Sequence, residues 1–151
     1  MLAGVAAHPR SGMLVLDTSA LSGAMRGDPL ALAHAQAERP GELFLVPPVA
    51  AEIHYGIARL PSHSRRSQLL RGEYNRWRAI LRWLDWGEEA STIFGEQKAR
   101  LEGRGTRIDD MDLAVAAIAL AHGLGVATCN ARHFNRVDGL RVLDWSKVVL
   151  P

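Results

Sequence analysis

The sequence predicts an α/β fold: a four- to five-stranded, mostly parallel sheet between layers of helices. Three observations support this. Short runs dominated by apolar residues, at 13–16, 43–46 and 125–128, alternate with longer helical patterns. Strands that alternate with helices close into parallel βαβ units covered on both faces. The stretch 111–121 is apolar on nearly every side, the mark of a buried helix.

The elements follow in order. Residues 13–16 read as a buried strand, after which Asp17, Thr18 and Ser19 can cap a turn into helix. Short alanine-rich helices are expected at 21–25 and 29–38, the second with Asp28 as cap and Pro29 in its first turn. Pro40-Gly41 breaks the chain before a strand at 43–46, which Pro47-Pro48 should end. Val49, Ile53, Ile57 and Leu60 recur at helical spacing over 49–60. Ser62 or Ser64 can cap a basic helix running to about Arg78. A third strand is expected at 80–84, then a helix from an Asp85 cap to about Arg104. Asp109 or Asp110 starts the apolar helix, Gly123 stops it, and strands at 125–128 and 140–143 follow.

At 151 residues the chain suits one domain, which buries about two thirds of its unfolded surface. Residues 1–12 are expected to be a flexible leader and 13–151 a single domain. The leader has no basic n-region and no long apolar core, so it is a poor signal peptide. No apolar run approaches the roughly 20 residues a membrane span needs. The single cysteine, Cys129, excludes an internal disulfide and fits a reducing cytoplasm. The net charge of +2 hides an asymmetry. Residues 59–82 hold seven arginines and one acid, Glu73, so this segment is +6 and the rest of the chain −4. It is a candidate phosphate-binding surface, or else a solvated helix face.

Parallel strands joined by right-handed crossovers place their carboxyl ends on one edge, where α/β proteins bind ligands. Asp17 follows the first strand and Asn130 the fourth. Glu52 lies early in the helix after the second, and Asp109, Asp110 and Asp112 crowd the start of the apolar helix. Capping accounts for one or two of these acids, and Asp17 alone could be a plain cap. Glu52, among Ala50, Ala51 and Ile53, is costly as a charge unless paired or bound to a cation. Clustered carboxylates raise one another's pKa unless a cation holds them. Oxygen-only donors suit Mg2+ or Mn2+, and no Cys/His set has zinc spacing. Such a site would promote phosphodiester hydrolysis.

Four blocks then carry a resemblance. Leu16-Asp17-Thr18-Ser19-Ala20-Leu21, Ala51-Glu52-Ile53-His54-Tyr55-Gly56-Ile57, Asp112-Leu113-Ala114-Val115-Ala116-Ala117 and Ala127-Thr128-Cys129-Asn130-Ala131-Arg132-His133-Phe134 resemble the signature blocks of PIN-domain proteins. The closing Gly139-Leu140-Arg141-Val142-Leu143-Asp144-Trp145 is similar to the last strand of the VapC-like toxins. The resemblance implies a PIN-like three-layer α/β/α fold and Mg2+- or Mn2+-dependent endoribonuclease activity on RNA. It also implies a cognate antitoxin whose tail enters the acidic cleft, and a homodimer. By position it makes Asp17, Glu52 and Asp112 the main acids, with Glu52 on the metal directly or through water. Asn130 stands at the fourth acid's place, where it offers a neutral oxygen. Asp110 is a possible auxiliary, and Thr18 or Ser19, and Thr128, are candidates to orient a carboxylate or water. Arg59, Arg65, Arg66 and Arg71 would meet RNA or the antitoxin.

His54 and His133 read as surface or packing residues and Cys129 as a structural thiol. Trp77, Trp83, Trp86 and Trp145 read as core or dimer contacts. A phosphatase with a nucleophilic Asp after strand one would want a second Asp where Ser19 stands. A receiver module would want a lysine after a late strand, and Lys98 and Lys147 are badly placed. A catalytically weak PIN-like RNA- or protein-binding module is the remaining alternative, kept open by Asn130.

Overall fold

The computed structural model describes residues 12–149; the expected leader lies almost wholly outside them. Five strands form one sheet: β1 (Leu14–Leu16), β2 (Leu43–Leu45), β3 (Arg82–Trp83), β4 (Gly125–Thr128) and β5 (Val142–Asp144). Their order is β3-β2-β1-β4-β5 and every pairing is parallel. The helices are α1 (Thr18–Met25), α2 (Pro29–Ala37), α3 (Pro47–Ala58), α4 (Arg65–Ile80), α5 (Glu88–Gly103), α6 (Asp110–Ala121) and α7 (Ala131–Phe134). They flank the sheet: α1 packs against α2, α3 and α4, while α5 lies along α6.

The centre of the sheet is its driest part. Every residue of β1, β2 and β4 is buried, as the unbroken apolar runs require. Leu113 to Ala119 of α6 are buried without exception. That helix ends as its sequence dictates. Gly123 takes φ +66°, a value a side chain rarely allows. The Leu124 amide then bonds back to the Ala119 carbonyl at 2.9 Å, closing a Schellman turn.

Several boundaries differ from expectation, each for a local reason. Pro47 and Pro48 do not only end a strand; they open α3, because the first helical turn needs no amide donor. The basic helix is capped by Ser64, whose Oγ accepts from the Ser67 amide, and it runs on to Ile80. That leaves β3 only two exposed residues. Asp85 caps nothing; its carboxylate accepts from the Trp83 indole, and Gly87 begins α5. Of the tryptophans, Trp145 is buried in the core and stacks on His34, whereas Trp83 and Trp86 are exposed. No helix among the described residues is long and apolar enough to cross a membrane.

Gly125 sits where β1, β4 and the β5 approach meet. A Cβ there would lie 2.9 Å from Arg141 Cζ and 3.0 Å from both the Arg141 carbonyl oxygen and Leu14 Cδ2. Overpacking against backbone is poorly relieved. Gly125→Ala should therefore lower stability by about 1–3 kcal/mol. In urea unfolding it should read as an earlier midpoint at unchanged slope; an unchanged midpoint would show that the strands can separate to admit a methyl.

Candidate functional site

The strand order reverses direction at β1. The chain steps to one side for β2 and β3, then returns to the other for β4 and β5. In an open α/β sheet the crevice at the carboxyl ends of such a switch point is where ligands bind. Here it lies between the ends of β1 and β4, and the first residue past β1 is Asp17.

Asp17 is 3% exposed and caps α1, accepting the Ala20 amide at 2.8 Å. Ser19 Oγ donates to its Oδ1 at 2.7 Å, and Thr128 Oγ1 donates to its Oδ2 at 2.5 Å. Each hydroxyl is oriented in turn by a backbone amide just past β4. Cys129 N donates to Ser19 Oγ at 2.9 Å, and Asn130 N to Thr128 Oγ1 at 2.8 Å. Each amide occupies one acceptor site of its hydroxyl and leaves the O–H to point at the carboxylate. Burial still dominates and pushes the Asp17 pKa up, against the hydrogen bonds from Thr128, Ala20 and Ser19.

Two further acids reach the same place. Glu52, on the second turn of α3, accepts from Thr18 Oγ1 at 2.5 Å and bears electrostatically on Asp17. Asp112, in the first turn of α6, has its pKa raised to about 6 by partial burial and by the charge of Asp17. Its Oδ2 lies 3.5 Å from His133 Nδ1. That same nitrogen is 3.0 Å from Asn130 Nδ2; a bare Nδ1 accepts from Asn130 and a protonated one donates to Asp112, so His133 serves one of the two at a time. Nothing local in the sequence marks His133 for this, because its partner acid is on another helix; its one cue is the three-residue spacing from Asn130 on a helical turn.

The other predicted residues lie further out. Asp110 is turned outward to Lys98, 3.1 Å away, while Asp109 caps α6 by accepting from the Met111 amide. Arg59, Arg65, Arg66 and Arg71 are all exposed. Arg59 stacks over Tyr55. The Cys129 thiol is half-buried, with its pKa raised by burial and by Asp17.

The donor set fits a hard divalent cation. Burial and the charge of Asp17 hold Asp112 toward the protonated form, burial and the charge of Glu52 do the same for Asp17, and neither pairs with Lys or Arg among the described residues. A cation would supply the missing charge. Among the described residues no three acidic, His or Cys groups gather closely enough to cage an ion by themselves.

A parallel sheet with acids gathered at this crevice defines a PIN-type fold, and the PIN domain family model matches residues 14–140. The chain belongs to the PIN-domain family, among its VapC-like members. It is 31% identical over 137 residues to the VapC ribonuclease Y4jK of Sinorhizobium fredii, covering 87% of this chain and 96% of that one. It is 27% identical over 132 residues to the tRNA(fMet)-specific endonuclease VapC of Shigella flexneri, covering 87% and 97%. The fold is shared with VapBC2 of Rickettsia felis, solved bound to a DNA fragment from its promoter. The TM-score is 0.77 at 20% identity, over 88% of this chain and 98% of that one.

The raised acid gives a signed prediction. A carboxyl with a folded pKa of about 6, above its unfolded value, binds its proton more tightly when folded. The metal-free protein should thus lose stability as pH rises from about 4 to about 6. Asp112→Asn should remove that component, gaining on the order of 1 kcal/mol at pH 7 once solvent screening of this partly exposed group is allowed for. Mg2+ added at pH 7.5 should raise the melting temperature of the parent and not of the variant. A parent and variant with parallel stability-pH curves would show that Asp112 ionises freely.

Proposed function

We propose that this chain is a Mg2+- or Mn2+-dependent endoribonuclease, the toxin of a type II toxin-antitoxin pair. It acts in the cytoplasm as a homodimer and is restrained by a cognate antitoxin. The observation that carries this reading is the convergence of Asp17, Asp112 and Glu52 on the switch-point crevice with no Lys or Arg paired to them among the described residues. The VapC relatives, named as ribonucleases, support the activity, and the VapBC neighbour supports the antitoxin.

Asp17 and Asp112 are the residues that would hold the ion, with Glu52 joining directly or through water. Bound there, a divalent cation lowers the pKa of water and offsets charge developing on the phosphate and the leaving oxygen. The protein's share is positioning. Ser19 and Thr128 lock Asp17 in one rotamer, and Thr18 holds Glu52. Asn130 would offer a neutral oxygen, its amide nitrogen lying 3.0 Å from His133 Nδ1. In the hydrolysis itself a water oxygen bonds to phosphorus, one ribose-oxygen bond to phosphorus breaks, and that oxygen takes up a proton. The basic face that includes Arg65, Arg66 and Arg71 meets RNA phosphates or the antitoxin.

The test is cleavage of labelled total RNA by the purified chain, freed of any partner, in Mg2+, Mn2+ or EDTA. Asp17→Asn is the control, checked by its melting curve, since Asn caps a helix as well as Asp but its Nδ2 cannot accept a bond from Ser19 or Thr128. Discrete fragments that need metal and fall at least a hundredfold in the variant are expected, the scale of losing an electrostatic stabiliser. Equal, metal-independent products from both proteins would overturn the catalytic reading in favour of a binding module.

A further inference from the structure

A groove of about 450 Å³ opens beside the acidic crevice, between α1, α3 and α4. It shares two residues with the site, Thr18 and Glu52. Its buried surface is apolar, from Met25, Ile53 and Ile57, with Leu60 and Leu70 half-buried beside them. Its exposed residues include Arg26, Arg59 and Arg66, and none of these pairs with a carboxylate among the described residues. The groove is therefore apolar within, cationic outside and bounded by one acid at its inner end.

Gly56 completes this picture. It lies inside α3, one turn beyond Glu52 on the same face. Glycine in a helix interior costs stability relative to alanine. Neither a positive φ nor close packing requires it, since a Cβ built there meets nothing within 4 Å. Its lack of a side chain leaves the groove open next to Glu52.

Resting on the ribonuclease reading above, we propose that this groove is a nucleotide subsite: it takes one unstacked base of a single-stranded RNA, next to the phosphate that is cut. An apolar slot accepts the flat, weakly hydrated faces of a base. The volume falls within the range of small-ligand pockets. Arg26, Arg59 and Arg66 meet the phosphates on either side of that base, by charge and by paired hydrogen bonds. A base inside a duplex cannot enter, so the subsite selects loops and single strands. Arginines flanking an apolar slot that runs into the crevice match the alternation of phosphate and base in a single strand, and this favours RNA over an acidic peptide.

Gly56→Phe fills the groove, and Gly95→Phe is the matched control, a helical glycine with equally open space on α5. The full chain, free of partner, is assayed on a fluorescently labelled single-stranded RNA in Mn2+, with melting curves to confirm folding. Gly56→Phe should raise KM at least about fivefold, the scale of losing one base contact, with kcat changed far less. Gly95→Phe should leave KM unchanged. Arg66→Ala should raise KM and flatten its dependence on salt. An unchanged KM in Gly56→Phe overturns the subsite. So does a variant that cleaves normally but no longer binds the antitoxin, which would make the groove a protein-docking surface. If the parent cleaves nothing, the ribonuclease reading fails by itself. Anisotropy of the same labelled RNA then decides the subsite, by whether Gly56→Phe weakens binding fivefold or not at all.

Discussion

The structure depends on how one buried carboxylate is held. Asp17 must satisfy the first turn of α1 and, in the same geometry, join β1 to the end of β4. It does so through Ser19 and Thr128, two hydroxyls that each take an amide from the β4–α7 turn and pass a proton to the acid. Four hydrogen-bonded groups thus fix the spacing of the two strand ends at the switch point. Even so, burial wins over hydrogen bonding, and the acid stays poised toward protonation. The fold retains a group that costs it stability, at the point where a positive ion would remove the cost.

Much of this was legible in the sequence because strand ends are predictable from apolar runs. Asp17 and Thr128 lie at such an end and Glu52 in the helix that follows one, and the parallel topology gathers those ends on one edge; Asp112 was marked instead by its place at the head of the apolar helix α6. Local grammar was less secure where two rules compete. Pro47 and Pro48 obey both the rule that proline ends strands and the rule that it opens helices, and in the structure they open α3. Residues 80–84 look like a strand, yet α4 keeps Ile80 and Leu81 closes it with an amide bond back to Trp77. Asp85 has the chemistry of a cap, but the Trp83 indole is closer at hand. Contacts made only by tertiary structure were not legible at all. The bonds from Thr18 to Glu52 and from His133 toward Asp112 join residues 34 and 21 positions apart.

Charge is laid out to match. The acids are drawn inward, where low dielectric makes each one felt by the next. The arginines of residues 59–82 stay exposed, where water and salt screen them. A polyanion would be attracted by the arginines of residues 59–82 and repelled by the acids of the crevice, so a phosphate could settle in that crevice only beside something positive.

The two-residue β3 has a consequence of its own. It forms one margin of the sheet, and both its residues are exposed, with the Arg82 guanidinium lying over the Phe44 ring and the Arg78 guanidinium over Trp83. A margin this short, with cations folded across its aromatic rings, offers a foreign strand almost no run of free amides and carbonyls to pair with. That margin of the sheet is thereby shielded against pairing from chain to chain into aggregates.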